Sequence, residues 1–173
     1  MRHALRGFLS AWSLGSRIPA PLKDEPDFSS IGLWMPMVGL GAAACASTGA
    51  GLGAIVFGPG LLAAIASMTA QYLPFNLFHL DGLLDTADAA GVSGDADRRR
   101  AVLKDPRIGS FALFAGFSFM AARLGATTVL LTRGGFPVWG ALGLAPVSGR
   151  FASMLVPSMA EPYAAGGLGS SIG

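Results

Sequence analysis

Between Phe28 and Leu80 the chain carries no charged side chain, and two later apolar runs, 111–131 and 136–160, hold one arginine each. About 20 apolar residues suffice for a helix to cross some 30 Å of hydrocarbon. The pattern therefore predicts four spans: 31–57 and 61–80, joined by the turn Gly58-Pro59-Gly60, then 111–131 and 136–160. Ahead of them, Leu5, Phe8, Leu9, Trp12 and Leu14 are interleaved with Arg2, His3, Arg6 and Arg17. That mixture reads as a basic amphipathic helix lying on a membrane surface, or as a short cap packed on the bundle. Pro19, Pro21 and Pro26 stop it, and Lys23, Asp24, Glu25 and Asp27 keep the connector in water. The expected fold class is all-α: a polytopic transmembrane helical bundle of about four spans with an amphipathic N-terminal helix. It forms one membrane domain over 1–173, divided into an N-terminal segment and connector (1–27), two spans (28–80), a cytoplasmic loop (81–110), two spans (111–160) and a tail (161–173).

Within the first span Gly39, Gly41, Ala43, Ser47, Gly49, Gly51 and Gly53 recur at spacings that let helix backbones approach closely. Gln71, Pro74 and Asn76 interrupt the second span, and a kink there would expose backbone groups to a polar cavity. Composition agrees with a membrane protein over a soluble domain, since 52% of the 173 residues are hydrophobic and only 13% are charged. Cys45 sits among small residues as the lone cysteine, so it packs as a small hydrophobe and redox chemistry is not expected. The first residues show no signal-peptide pattern.

The net charge of +2 matters less than its distribution. Arg98, Arg99, Arg100, Lys104 and Arg107 lie in one short stretch between apolar runs, which assigns it to the cytoplasm. Arg2, Arg6, Arg17 and Lys23 put the amino terminus on the same side, as a two-span hairpin requires. Arg123 and Arg150, inside apolar runs, should face the bundle interior, pair with a carboxylate or snorkel to a headgroup.

The chemistry is concentrated in Phe78-His79-Leu80-Asp81-Gly82-Leu83-Leu84-Asp85-Thr86-Ala87-Asp88. On a helix, Asp81, Asp85 and Asp88 fall within about 60° of one another on one face. Three like charges on a stripe repel, and a divalent cation would relieve them. With no cysteine or histidine cluster nearby, a hard ion such as Mg²⁺ suits the oxygen ligands. The alternative is a solvated helix end whose aspartates favour the positive end of the dipole. His79 lies about 160° from Asp81 on the same helix, and it is a candidate base or a satisfied interface histidine. Carboxylates that bind a metal, followed by a basic stretch, suit phosphoryl transfer. Arg98-Arg99-Arg100 reads mainly as an orientation signal. Lys104 and Arg107, in a turn framed by Pro106 and Gly109, are the better phosphate ligands, with Asp105 between them and Arg150 as further members of the phosphate-binding set.

His79-Leu80-Asp81-Gly82-Leu83-Leu84-Asp85-Thr86-Ala87-Asp88 and Lys104-Asp105-Pro106-Arg107-Ile108-Gly109 resemble two motifs of the adenosylcobinamide-GDP ribazoletransferase, or cobalamin synthase, family. Arg17-Ile18-Pro19-Ala20-Pro21, Ser148-Gly149-Arg150 and Gly166-Gly167-Leu168-Gly169 agree more weakly. Asn76, Leu77, Phe78, Ala89 and Ala165 depart from the family pattern. The resemblance implies a multi-pass enzyme of the bacterial inner membrane with its site on the cytoplasmic face. It joins α-ribazole, or its 5′-phosphate, to adenosylcobinamide-GDP with release of GMP. It also implies Mg²⁺ held by Asp81, Asp85 and Asp88, and Lys104 and Arg107 steadying phosphate charge. Membrane lipids and a homo-oligomer are expected partners, and nucleic acid is not. The family's sequences continue past the position matching Gly173, so a fragment or shortened member is expected. A membrane cation transporter and an inactive shortened subunit of the same family are the alternatives.

Overall fold

In the computed structural model the described residues, 2–23, 25–75 and 77–159, form seven helices and no strand. These are α1 (Arg2–Gly15), α2 (Ile31–Phe57), α3 (Leu61–Tyr72), α4 (Phe78–Gly91), α5 (Ala96–Val102), α6 (Ser110–Arg133) and α7 (Phe136–Met159). The all-helical expectation holds. The chain divides into two compact units, Met1–Asn76 with Thr128–Gly173, and Leu77–Thr127. The expected tail at 161–173, including Ala165 and the Gly166-Gly167-Leu168-Gly169 motif, lies outside the described residues.

The first unit is organised around α2, which packs on α1, α3 and α7. Its small residues act as the spacing suggested. A Cβ on Gly39 would lie 2.7 Å from Val147 Cα of α7, and one on Gly49 would lie 2.6 Å from the Ala66 carbonyl oxygen of α3. Gly53 likewise approaches Ala63 Cα, at 2.8 Å. Backbones this close gain dispersion contacts that lipid cannot replace. Inside the α2–α3 contact, buried Ser67 Oγ donates to the Ala46 carbonyl at 2.8 Å, so its hydroxyl is satisfied without water.

α1 takes the packed form. Ala11 and Ser10 are fully buried, and Phe8 meets Trp34 edge-on with ring centroids 5.9 Å apart. Arg6 does not stand free on a polar face: its Nη2 and Nε donate to the Glu25 carbonyl at 2.8 and 3.2 Å, which fastens the connector to the helix.

The continuous helix expected over 61–80 does not form. α3 has 12 residues, about 18 Å of helix, which is short of the hydrocarbon thickness. Pro74 is the cause, since it withholds an N–H and its ring would collide with the carbonyl one turn back. The break is then stabilised tertiarily. Phe75 is 1% exposed, Trp12 meets its ring edge-on at 5.7 Å, and the Arg150 guanidinium lies 5.5 Å from its centroid. Ser16 bridges to Phe75, and Arg17 N–H donates to the Pro74 carbonyl at 2.7 Å. Among the described residues, α2 and α6 are the helices long and apolar enough to cross a membrane.

In the second unit the segment 81–110 is largely helical: α4 carries the aspartates and α5 the arginine run, separated by 92–95 and followed by the turn 103–109.

Candidate functional site

α4 begins at Phe78, so His79 and all three aspartates share one helix. The stripe therefore exists as its spacing required. Gly116 of α6 leaves room for Leu84, since a Cβ there would lie 2.7 Å from Leu84 Cδ2. Gly91 likewise accommodates the Phe111 ring. These contacts seat α4 against α6. Asp81 is exposed, and Asp85 and Asp88 are half-buried.

Asp95 starts α5 by accepting from Arg98 N–H at 2.9 Å, an N-cap that satisfies one of the helix's orphan donors. Two backbone bonds then carry the chain off α5: Lys104 N–H to Ala101 O at 3.2 Å and Asp105 N–H to Val102 O at 3.0 Å. These bonds place Lys104 and Arg107 in the lining of an open cavity of about 290 Å³, together with Asp81, Asp85 and Asp88. Leu84, Leu103, Pro106, Ile108 and Ala112 form its apolar parts. Two motifs separated in sequence thus meet at one place, acids from α4 and bases from the turn after α5.

Within the turn, Arg107 is held as a fork. Its Nη2 donates to Asp105 Oδ2 at 2.6 Å and its Nε to Asp105 Oδ1 at 2.9 Å, while Arg107 N–H also reaches Oδ1, at 3.1 Å. These bonds, the side-chain ones first, bring the Asp105 carboxyl down to about 2, and Asp105 in turn raises the Arg107 guanidinium. The Arg107 side chain is 87% exposed, so the pair orients the guanidinium without burying it.

The three aspartates do not all serve alike. Asp88 turns both carboxylate oxygens to backbone donors, Gly109 N–H at 2.6 Å and Ala112 N–H at 2.9 Å. Among the described residues no group of three or more His, Cys, Asp or Glu is gathered to hold one ion. The oxygen-only donor set facing an open cavity nonetheless fits a hard, largely hydrated cation on Asp81 and Asp85. His79 is half-buried and outside the cavity lining. Arg150 belongs to the first unit, where it is buried against Phe75 and its Nη1 donates to the Pro146 carbonyl at 3.2 Å. None of Arg98, Arg99 and Arg100 lines the cavity, and Arg100 pairs with Asp97 at 2.7 Å. The sequence reading missed the roles of Asp88 at Gly109 and of Asp105 as the holder of Arg107. The first spans 21 residues and has no local signal. The second is two residues long, and an Asp two before an Arg in a proline turn is its signal.

No solved structure matches the chain. A ribazoletransferase from Novosphingobium aromaticivorans is 34% identical over 87% of this chain and 62% of its own length. One from Pseudomonas aeruginosa is 35% identical over 99% of the chain and 70% of its length. A third, from Chlorobium phaeovibrioides, is 32% identical over 92% of the chain and 62% of its length. All three carry the name adenosylcobinamide-GDP ribazoletransferase. The chain therefore spans 62% to 70% of the length of these relatives. The family model described as cobalamin-5-phosphate synthase matches residues 7–173, and by that match the chain belongs to the cobalamin-5-phosphate synthase family.

Proposed function

We propose that this chain transfers the cobinamide-bearing phosphoryl group of adenosylcobinamide-GDP to a ribose hydroxyl of α-ribazole or its 5′-phosphate. The new P–O bond replaces the bond from that phosphorus to the bridging oxygen, GMP departs with the bridging oxygen and the electron pair, and the hydroxyl proton is released. The observation that carries the reading is the cavity in which Asp81 and Asp85 meet Lys104 and Arg107. Phosphoryl transfer asks the protein chiefly to position its reactants and to stabilise charge on phosphate oxygens. Asp81 and Asp85 would hold Mg²⁺, which when bound neutralises diphosphate charge. Lys104 supplies a point charge to the departing phosphate. Arg107, kept in plane by Asp105, offers its remaining donors to a second pair of oxygens.

The same reading places the protein in a bacterial inner membrane with the cavity toward the cytoplasm. Its support is the basic run Arg98 to Arg100 with Lys104 and Arg107. Four crossings remain the proposed topology, with the α3 segment as a broken span. Such a break is tolerated at depth because its backbone is paired, Pro74 with Arg17 and Phe75 with Ser16. Homo-oligomers and bound lipid belong to the proposal as well.

The test is Mg²⁺-dependent GMP release in proteoliposomes, with this chain and a full-length relative assayed side by side. Release by both supports the reading. Release by the relative alone would make residues 1–173 inactive by themselves, and Mg²⁺ flux without release would favour a transporter.

A further inference from the structure

The first four N–H groups of a helix have no partner within it, and a buried or half-buried helix start needs an acceptor from elsewhere. For α6 that acceptor comes from another helix. Asp88 Oδ1 takes Ala112 N–H, in the first turn of α6, at 2.9 Å, and Asp88 Oδ2 takes Gly109 N–H at 2.6 Å. The negative carboxylate also complements the positive end of the α6 dipole. Gly109 closes the turn that carries Lys104 and Arg107, and its backbone lies directly against Asp88. A Cβ on Gly109 would sit 2.5 Å from Oδ1, 2.7 Å from Oδ2 and 2.8 Å from Cγ. Any side chain there would have to push that carboxylate off its two backbone donors. The last aspartate of one motif and the glycine ending the other are thus two halves of one contact, and both Asp88 oxygens are committed to it.

We propose that Asp88 is a positioning residue: it clamps the Gly109 end of the Lys104–Gly109 turn and the start of α6 onto α4, and it is not a metal ligand. Lys104 and Arg107 then face Asp81 and Asp85 because the far end of their turn is fixed. The inference about the turn stands on geometry alone, and the metal clause rests on the phosphoryl-transfer reading above.

Three measurements on the whole chain in proteoliposomes test it. Amide hydrogen exchange at Gly109 and Ala112 should speed up about tenfold or more in Asp88→Ala, as for a lost helix cap, and stay unchanged in Asp85→Ala. Mn²⁺ binding, read by electron paramagnetic resonance as a probe for the divalent site, should weaken about tenfold or more in Asp85→Ala and by less than about twofold in Asp88→Ala. Gly109→Ala should destabilise the wild type clearly but cost much less in an Asp88→Ala background, because the clash is then gone. If Asp88→Ala does not fold, Asp88→Asn replaces it, since the amide oxygen keeps one of the two acceptors. Unchanged exchange at both amides overturns the clamp. A loss of Mn²⁺ affinity in Asp88→Ala equal to that in Asp85→Ala overturns the metal clause whatever exchange does. Should the wild type bind no Mn²⁺, the metal-dependent reading fails instead, and exchange and the double variant alone decide the role of Asp88.

Discussion

Gly49 and Gly51 stand two residues apart on α2, and alanine at each should have opposite effects. Alanine raises helix propensity over glycine by about 1 kcal/mol at either site, so that gain cancels in the comparison. What differs is space. At Gly51 the new methyl meets only the Trp139 ring, 3.8 Å away, which is ordinary contact. At Gly49 it falls 2.6 Å from the Ala66 carbonyl oxygen and 2.6 Å from Ala70 Cβ, about 1 Å inside contact distance, and the backbone atom cannot rotate aside. α2 and α3 must separate, and overpacking of this kind costs about 1–3 kcal/mol. Separation also stretches the buried Ser67–Ala46 hydrogen bond, now 2.8 Å, which adds up to about 1 kcal/mol. Gly49→Ala should therefore be less stable than Gly51→Ala by about 1–4 kcal/mol, a gap in Tm of roughly 2–16 °C for a chain of this size. Thermal unfolding in detergent, followed by circular dichroism, measures it. Equal melting temperatures for the two variants would refute the claim that glycine at 49 is there for backbone approach.

Three further outcomes are expected. Asp85→Ala should abolish GMP release and Asp95→Ala should spare it, because Asp95 caps α5 and does not line the cavity; equal losses measured by product release would instead implicate general charge. The triple Arg98→Lys, Arg99→Lys, Arg100→Lys variant should insert correctly and keep most activity, whereas Arg107→Lys should insert but lose turnover, since an ammonium cannot fork onto a phosphate; retained turnover in Arg107→Lys with loss in the triple variant moves the phosphate contact to α5. The Asp105 carboxyl, held down at about 2, makes a contribution that is fully present above its usual value of 3.8 and fades as pH falls from there through about 2. Asp105→Asn should accordingly lower GMP release by the same factor at every pH from 5 to 9, and a factor that varies across that range would show that the pair titrates there.

Several features needed no structure. The charge-free stretch before Asp81 and the period of apolar residues specify helices, because a backbone without water must satisfy its own hydrogen bonds. The interval of four and three residues between Asp81, Asp85 and Asp88 puts them on one face of any α-helix, and α4 carries them so. Small residues along α2 announce close helix approach, though not which glycine meets which neighbour. Pro74 and its surroundings announced an interruption, but the sequence alone read the span as continuing to residue 80. Hydropathy counts apolar residues and does not register that Phe75 packs against the Trp12 ring and the Arg150 guanidinium.

Other assignments depend on pairs of residues distant in the chain, and only the tertiary structure decided them. Arg150, a phosphate candidate by its motif, is buried on Phe75, because an arginine in an apolar run stacks on whatever ring and carbonyl the fold brings near. Asp88 looks identical to Asp85 in sequence, yet its oxygens are used by Gly109 and Ala112, which reach it only when α6 folds back beside α4. Periodicity states which way a side chain leaves its own helix, whereas its partner is set by how helices pack, and that contact carries no pattern within either segment.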